Sequence, residues 1–163
     1  MSELNDSREA LAWLAYEADD HRLAFHLFLR LAMVGSAAAQ CQIGRMYDRG
    51  QGVNQNHALA ARWYRTAAEQ GDAQAQCNLG FCYKDGEGVK RDPARAAAWF
   101  RRAAQQGHDV AQCELGVLYE TGDGVPRDLR RAVHWYRLSA AQDWCEAVTR
   151  LVVLLSRLPP AKG

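Results

Sequence analysis

The chain lacks any apolar run long enough to cross a bilayer, which takes ~18–20 consecutive residues. Its longest such stretch, Leu151 to Leu155, is far too short. It also lacks net charge: the formal balance is +1, so nothing in the total calls for nucleic acid or an anionic membrane. The balance is uneven along the chain. Glu3, Asp6, Glu9, Glu17, Asp19 and Asp20 stand against Arg8 alone, which leaves the remainder positive by about six charges. The opening residues, MSELNDSREA, are acidic where an export signal would be basic and then apolar. A cytoplasmic chain without membrane insertion is therefore expected. Five cysteines is an odd number, and without an export signal a disulfide framework is not expected. What remains is the composition of an ordinary globular protein, 48% hydrophobic and 24% charged over 163 residues, enough for one domain with a buried core.

The sequence is rich in repetition. Trp63, Trp99 and Trp135 are each 36 residues apart, as are Ala39, Ala75, Ala111 and Ala147. Ile43, Leu79, Leu115 and Leu151 keep the same spacing, and so do Gly44, Gly80 and Gly116. A fixed period in the range of ~20–50 residues marks stacked supersecondary units. Each unit reads as two helices. The first carries Ala75, Leu79 and Tyr83 on one face, and the second carries Ala96, Phe100 and Ala103, with Trp99 beside them.

Between the helices lies YKDGEGVKRDP, Tyr83 to Pro93. Its Gly-x-Gly and lysine suggest a phosphate cradle, but such a loop joins a strand to a helix and carries G-K-[ST] or G-x-G-x-x-G. Here the stretch returns as YDRGQGVNQN and YETGDGVPRD, and Lys90 becomes Asn54 or Pro126. It is a structural corner. Gly86 suits a left-handed helix C-terminus. Asp92 then caps the next helix, with Pro93 at its first position. Asn56 and Asp128 are the equivalent caps, while Ser36 and Asp72 are expected to cap first helices. Val53, Val89 and Val125 are the apolar plugs of the corners.

The pattern A-Q-C-x-[IL]-G-x-x-Y-x-x-G-x-G-V-x-x-[DN], followed by A-x-x-W-[YF]-R, closely resembles the Sel1-like repeat family, from Ala39 to about Trp144. The resemblance implies an all-α fold, an α/α superhelix wound as a right-handed solenoid, here of about nine helices. The expected organisation is one repeat domain over 1–163. It comprises an atypical N-terminal hairpin (1–35), three repeats (36–71, 72–107 and 108–143), a C-terminal capping helix (144–158) and a tail (159–163). Atypical terminal units are what an open stack requires. The resemblance also implies an adaptor role.

The single residues invite plain readings. Trp63, Trp99, Trp135 and Tyr64, Phe100, Tyr136 are expected in the core, and Tyr47, Tyr83 and Tyr119 are expected to bond to backbone near the corner. Cys41, Cys77 and Cys113 share one repeat position. Helices stack ~8–10 Å apart, beyond the ~7 Å a disulfide allows between Cα atoms, so these thiols, like Cys82, read as small reduced hydrophobes. A zinc site built from them is not expected. His21, His26, His57, His108 and His134 form no H-x-x-x-H pair, and no nucleophile–base–orienter set stands out. No catalytic residue, metal ligand or cofactor is assigned. Arg62, Arg65, Arg95, Arg101, Arg102, Arg130, Arg131 and Arg137 read as a solvated outer surface paired with carboxylates.

In tetratricopeptide-type solenoids the first helices line the inner, concave surface. With Ala75, Leu79 and Tyr83 as the core stripe, the stripe left over is Cys77, Asn78, Phe81 and Lys84. Its counterparts are Cys41, Gln42, Arg45 and Asp48, and Cys113, Glu114, Val117 and Glu120. Most of these positions differ between copies while the core does not, the pattern of a recognition surface on a constant scaffold. The expected function is a non-catalytic adaptor that binds a protein or peptide segment there, with Phe81 as an anchor. Two alternatives are weighed. One is a β-lactam-binding or hydrolysing enzyme, as in a cysteine-rich branch of the resembling family whose paired cysteines this chain lacks. The other is nucleic-acid binding through the outer arginines, which is not favoured because exposed aromatics are not interleaved with them.

Overall fold

The computed structural model describes residues 2–157, with side chains for 7–144 and 146–156. The tail expected at 159–163 lies outside them. Among the described residues there are nine helices and no strand. They fall into two compact units that divide between Arg91 and Asp92.

The first unit holds α1 (Ser2–Glu17), α2 (His21–Met33), α3 (Ala37–Arg49), α4 (His57–Glu69) and α5 (Ala73–Asp85). Each helix packs on the next in sequence. No glycine corner separates α1 from α2. The turn is made by residues 18–20, with Asp19 at φ 58° and the Asp20 carboxylate accepting from the Leu23 amide to start α2. The later caps follow the sequence. The Ser36 hydroxyl, Asn56 carbonyl and Asp72 carboxylate each accept from the amide three residues on, satisfying a donor that the first helical turn leaves open. Gly50 and Gly86 close α3 and α5 in the left-handed conformation.

The second unit holds α6 (Pro93–Gln105), α7 (Asp109–Thr121), α8 (Leu129–Ala140) and α9 (Cys145–Arg157), again packed in order. Asp92 and Asp128 cap α6 and α8, and Gly122 closes α7. The cap of α7 comes from His108, whose Nδ1 accepts from the Ala111 amide at 3.4 Å.

The period of the sequence becomes a period of contacts. A Cβ on Gly44 would meet the Tyr64 ring at 2.6 Å, and one on Gly116 would meet Tyr136 at 2.6 Å. The glycine therefore lets the aromatic ring of the second helix lie directly on the first. Tyr64 and Tyr136 are buried accordingly, and Phe100 is buried as well, each ring worth roughly 1.5–3 kcal/mol. Trp63, Trp99 and Trp135 depart from the core expectation, for they are half-buried. Each sits one residue, about 100° of helix, before the buried ring and so lies at the edge of the interface. Trp63 borders an open groove with Leu59, Arg62 and Thr66, and the Arg102 guanidinium lies over Trp99 at 4.5 Å.

The corner glycines do a second job. Gly52, Gly88 and Gly124 all have positive φ, and a Cβ on each would strike backbone: the carbonyl oxygen of His21 at 2.2 Å, of His57 at 2.0 Å and of Pro93 at 2.3 Å. Each corner is thus pressed against the start of the second helix of the preceding hairpin. Val53 packs on the core of the first unit beside this contact.

Candidate functional site

The first-helix stripe divides into buried and half-buried positions. Cys41, Cys77 and Cys113 are 5%, 1% and 1% exposed, and Gln42 and Glu114 are 2% and 9% exposed. These five offer little surface, contrary to what a recognition stripe requires. The reason is geometric. In the first unit α3 packs on its second helix α4 and also faces the first helix α5. Asn78 Nδ2 on α5 reaches the Cys41 sulfur on α3 at 3.8 Å, so the cysteine position lies between helices. Burial pushes the Cys41 thiol up to about 12, with Asp72 adding to it. Burial likewise raises Cys113 to about 12, reinforced by Glu146 and Glu114. These thiols are protonated packing groups, as expected from sequence.

Arg45, Asp48, Asn78, Phe81, Lys84, Val117 and Glu120 are half-buried. In the first unit, Lys84 Nζ lies 5.4 Å from the Phe81 ring centre, within cation–π range. Phe81 borders a cavity of about 190 Å³ with Asp48, Tyr64, Asn78, Cys82 and Glu87. The cavity is electronegative. Burial raises the Cys82 thiol to about 12, and the Asp48 and Glu87 carboxylates add to that. Burial also pushes Tyr64 up, followed by Asp48. In the second unit, the Tyr136 hydroxyl donates to Glu120 Oε2 at 2.7 Å, and Arg150 Nη1 lies 4.0 Å from the same carboxylate.

Beside the cavity, the Asp48 carboxylate lies 2.8 Å from His57 Nδ1, and Glu87 joins them. The three side chains offer ligand atoms that all lie within 4.8 Å of one another. The sequence reading passes over this cluster because its members are separated along the chain. They meet only when the corner carrying Glu87 and Gly88 docks on the start of α4.

Sequence reasoning also leaves the glutamine of A-Q-C without a role. Gln40, Gln76 and Gln112 are buried and donate to the carbonyls of Ala32, Ala68 and Ala104 in the last turn of the preceding helix, at 3.1, 3.2 and 3.2 Å. Gln70 and Gln142 in turn donate to Gln40 and Gln112 at 2.6 and 3.0 Å. The signal was its fixed place in the repeat. The tyrosines differ from expectation as well. Tyr83 and Tyr119 accept from Arg65 and Arg101 of the preceding second helix, each at 3.0 Å. Burial alone would raise Tyr119, but the Arg131 and Arg101 guanidiniums outweigh it and lower the pKa. Of the outer arginines, Arg95 and Arg131 pair with the caps Asp92 and Asp128 at 3.2 and 3.3 Å. Among the described residues, no helix is long and apolar enough to cross a membrane.

Comparison with known proteins follows the same repeat. The family model described as Sel1 repeat matches four times, at residues 8–36, 37–72, 73–108 and 109–144. The first match falls on the hairpin that the sequence reading treats as an atypical end. A search of the curated proteins returns no match. Among solved structures, a Sel1 repeat protein from Oxalobacter formigenes is 33% identical with a TM-score of 0.85, over 91% of this chain and 61% of that one. The uropathogenic Escherichia coli protein c5321, described as a protective antigen with an SLR fold, is 38% identical with a TM-score of 0.91, over 94% of this chain and 34% of that one. The chain thus spans less than two thirds of either. Helicobacter pylori cysteine rich protein B is 21% identical with a TM-score of 0.59, over 76% of this chain and 94% of that one, a likeness of fold alone. The fold class is all-α, of the α/α-solenoid type these structures share, and the chain belongs to the Sel1 repeat family.

Proposed function

We propose that the chain is a non-catalytic interaction scaffold that holds a peptide or protein segment against the half-buried faces of its first helices. Sel1 repeat proteins are generally protein-interaction scaffolds, which supports the class of function. The observation that carries the reading is the contrast within the repeat. Corner, caps and core recur, whereas Arg45 becomes Phe81 and Val117, and Asp48 becomes Lys84 and Glu120. A scaffold that keeps its packing and varies an accessible position is built for recognition. In the first unit the face comprises Arg45, Asp48, Asn78, Phe81 and Lys84, with Cys41, Gln42 and Cys77 beneath; in the second it comprises Val117 and Glu120, with Cys113 and Glu114 beneath. Phe81 is the anchor, because an aromatic ring among charged groups contributes contact area at small entropic cost.

Affinity purification from the native cell lysate tests this reading, with an Arg45→Glu/Phe81→Glu double variant as control. A partner recovered by the wild type should bind it directly when purified and lose that binding to the variant. Equal capture by a folded variant would rule this face out.

A further inference from the structure

We propose that Asp48, His57 and Glu87 form a binding site for a divalent transition-metal ion of the zinc class. One imidazole nitrogen and two carboxylate oxygens converge within 4.8 Å. They come from three segments: the last turn of α3, the first residue of α4 and the corner after α5. The docking of Gly88 on the His57 carbonyl brings the third segment in.

Chemistry and charge point the same way. Zinc takes histidine nitrogen together with carboxylate oxygen, whereas calcium prefers six to eight oxygens. Among the described residues, neither Asp48 nor Glu87 forms an ion pair with a lysine or arginine. Neither carboxylate is therefore held by a lysine or arginine at ion-pair distance. The set is also particular to one corner. Its equivalents by the repeat are Ala12, His21 and Gln51 on one side and Lys84, Pro93 and Asp123 on the other, and neither trio supplies three ligands. A tetrahedral ion with bonds of ~2.0–2.2 Å sets its ligands roughly 3.4 Å apart. The contraction required is up to about 1.4 Å, within reach of Glu87, which is exposed. Binding displaces any proton on the ligating nitrogen and leaves a fourth position for water. The ion would link the corner after α5 to the junction of α3 and α4. The inference is independent of the scaffold reading.

The test uses the tag-free chain, stripped with a chelator and titrated with Zn²⁺ by calorimetry, with melting followed in parallel. One equivalent should bind and raise Tm. Glu87→Gln, a change on an exposed loop, should weaken binding by about tenfold or more, since even loss of a supporting partner behind a ligand costs 10–100-fold. Glu87→Gln/His57→Gln should abolish both effects. Co²⁺ should give a spectrum without a thiolate charge-transfer band, and Ca²⁺ should not compete. Absence of heat and of a Tm rise, full Zn²⁺ affinity in the Glu87→Gln variant, a thiolate band, or equal binding of Ca²⁺ would each overturn the proposal.

Discussion

Each Gly-x-Gly corner and the first-helix face beside it lie within about a turn of one another, yet they respond to the repeat in opposite ways. At the corner the side chains are absent and the backbone is the contact: Gly52, Gly88 and Gly124 touch the carbonyls of His21, His57 and Pro93. The partner is main chain, so its identity does not matter, and His, His and Pro serve equally. On the face the half-buried side chains differ in every copy, from Arg45 to Phe81 to Val117. A repeat protein can change its ligand without changing its fold because stacking relies on backbone and small residues at fixed places, while the exposed side chains are released from that duty.

The sharpest way to break this contrast is to put a side chain where the corner tolerates none. Gly88→Ala sets a Cβ 2.0 Å from the His57 carbonyl oxygen at φ +71°. Neither backbone can yield cheaply, and the expected loss is about 3 kcal/mol, from overpacking plus left-handed strain. Gly71→Ala is the control. Its φ is +101° with nothing within 4 Å of the added atom, so only the strain remains, about 1 kcal/mol. Urea denaturation of both variants measures the difference. Equal losses would mean that corner docking contributes nothing beyond backbone conformation.

The second test loads the core with charge. Cys41, Cys82 and Cys113 ionise near 9 as exposed thiols and near 12 in the fold. Between those values the unfolded chain has released protons that the folded chain retains, so rising pH favours unfolding. The contribution is complete below pH 9 and is lost as pH climbs toward 12. At pH 10 the cost is about 1 kcal/mol per thiol, read as a fall in the urea midpoint between pH 8.5 and 10. Cys→Ser variants at these positions should flatten that fall. A neutral change on the half-buried face, such as Val117→Ala, should leave it unchanged, whereas changes at Arg45 or Asp48, whose charges act on Cys41 and Cys82, should not.

Much of this architecture was legible in the sequence, because a 36-residue period repeats every packing requirement several times. The caps Asn56, Asp92 and Asp128 and the terminator Gly86 follow from local chemistry that needs no tertiary information. What was hidden depended on which neighbour a residue meets. Cys77 lies two residues from Ala75 and from Leu79, about 200° around the helix, and so reads as facing away from the core. The thiol is nevertheless 1% exposed, and at the equivalent Cys41 it is Asn78 of the neighbouring first helix that covers this side. Tyr83 was one turn from a corner rich in carbonyls, but its hydroxyl found Arg65 of the preceding helix. Asp48, His57 and Glu87 are separated by nine and thirty residues, and no period or motif links them before the corner docks.

Gln112 tests whether fixed polar contacts belong with the corner or with the face. It donates to the Ala104 carbonyl and accepts from Gln142, so it joins the end of α6 to α7 and to the end of α8. Gln112→Ala leaves the buried Ala104 carbonyl without its side-chain donor, at a cost of roughly 1–3 kcal/mol, while the exposed Gln142 keeps its bond to the Gly107 carbonyl. Hydrogen exchange at the last turn of α6 should accelerate with it. A loss below the lower bound would move this glutamine to the side of replaceable positions.

The smallest stability effect is expected on the face itself, and there a null result carries the information. Arg45 and Phe81 are half-buried, and neither supplies a cap, a corner contact or a fully buried ring. Arg45→Glu should shift stability by about 0.5 kcal/mol and Phe81→Glu, which loses the contact with Lys84, by about 1 kcal/mol, with the helical circular dichroism signal unchanged. The electrostatic consequence is larger than the thermodynamic one. The cavity already bears Asp48 and Glu87, and a carboxylate at position 81 adds a third negative charge there. A partner held by the Phe81 ring would then meet a charged, hydrated group. If instead Phe81→Glu unfolds the first unit, the ring is part of the packing after all, and the division between constant backbone and free side chain fails at the position chosen as its anchor.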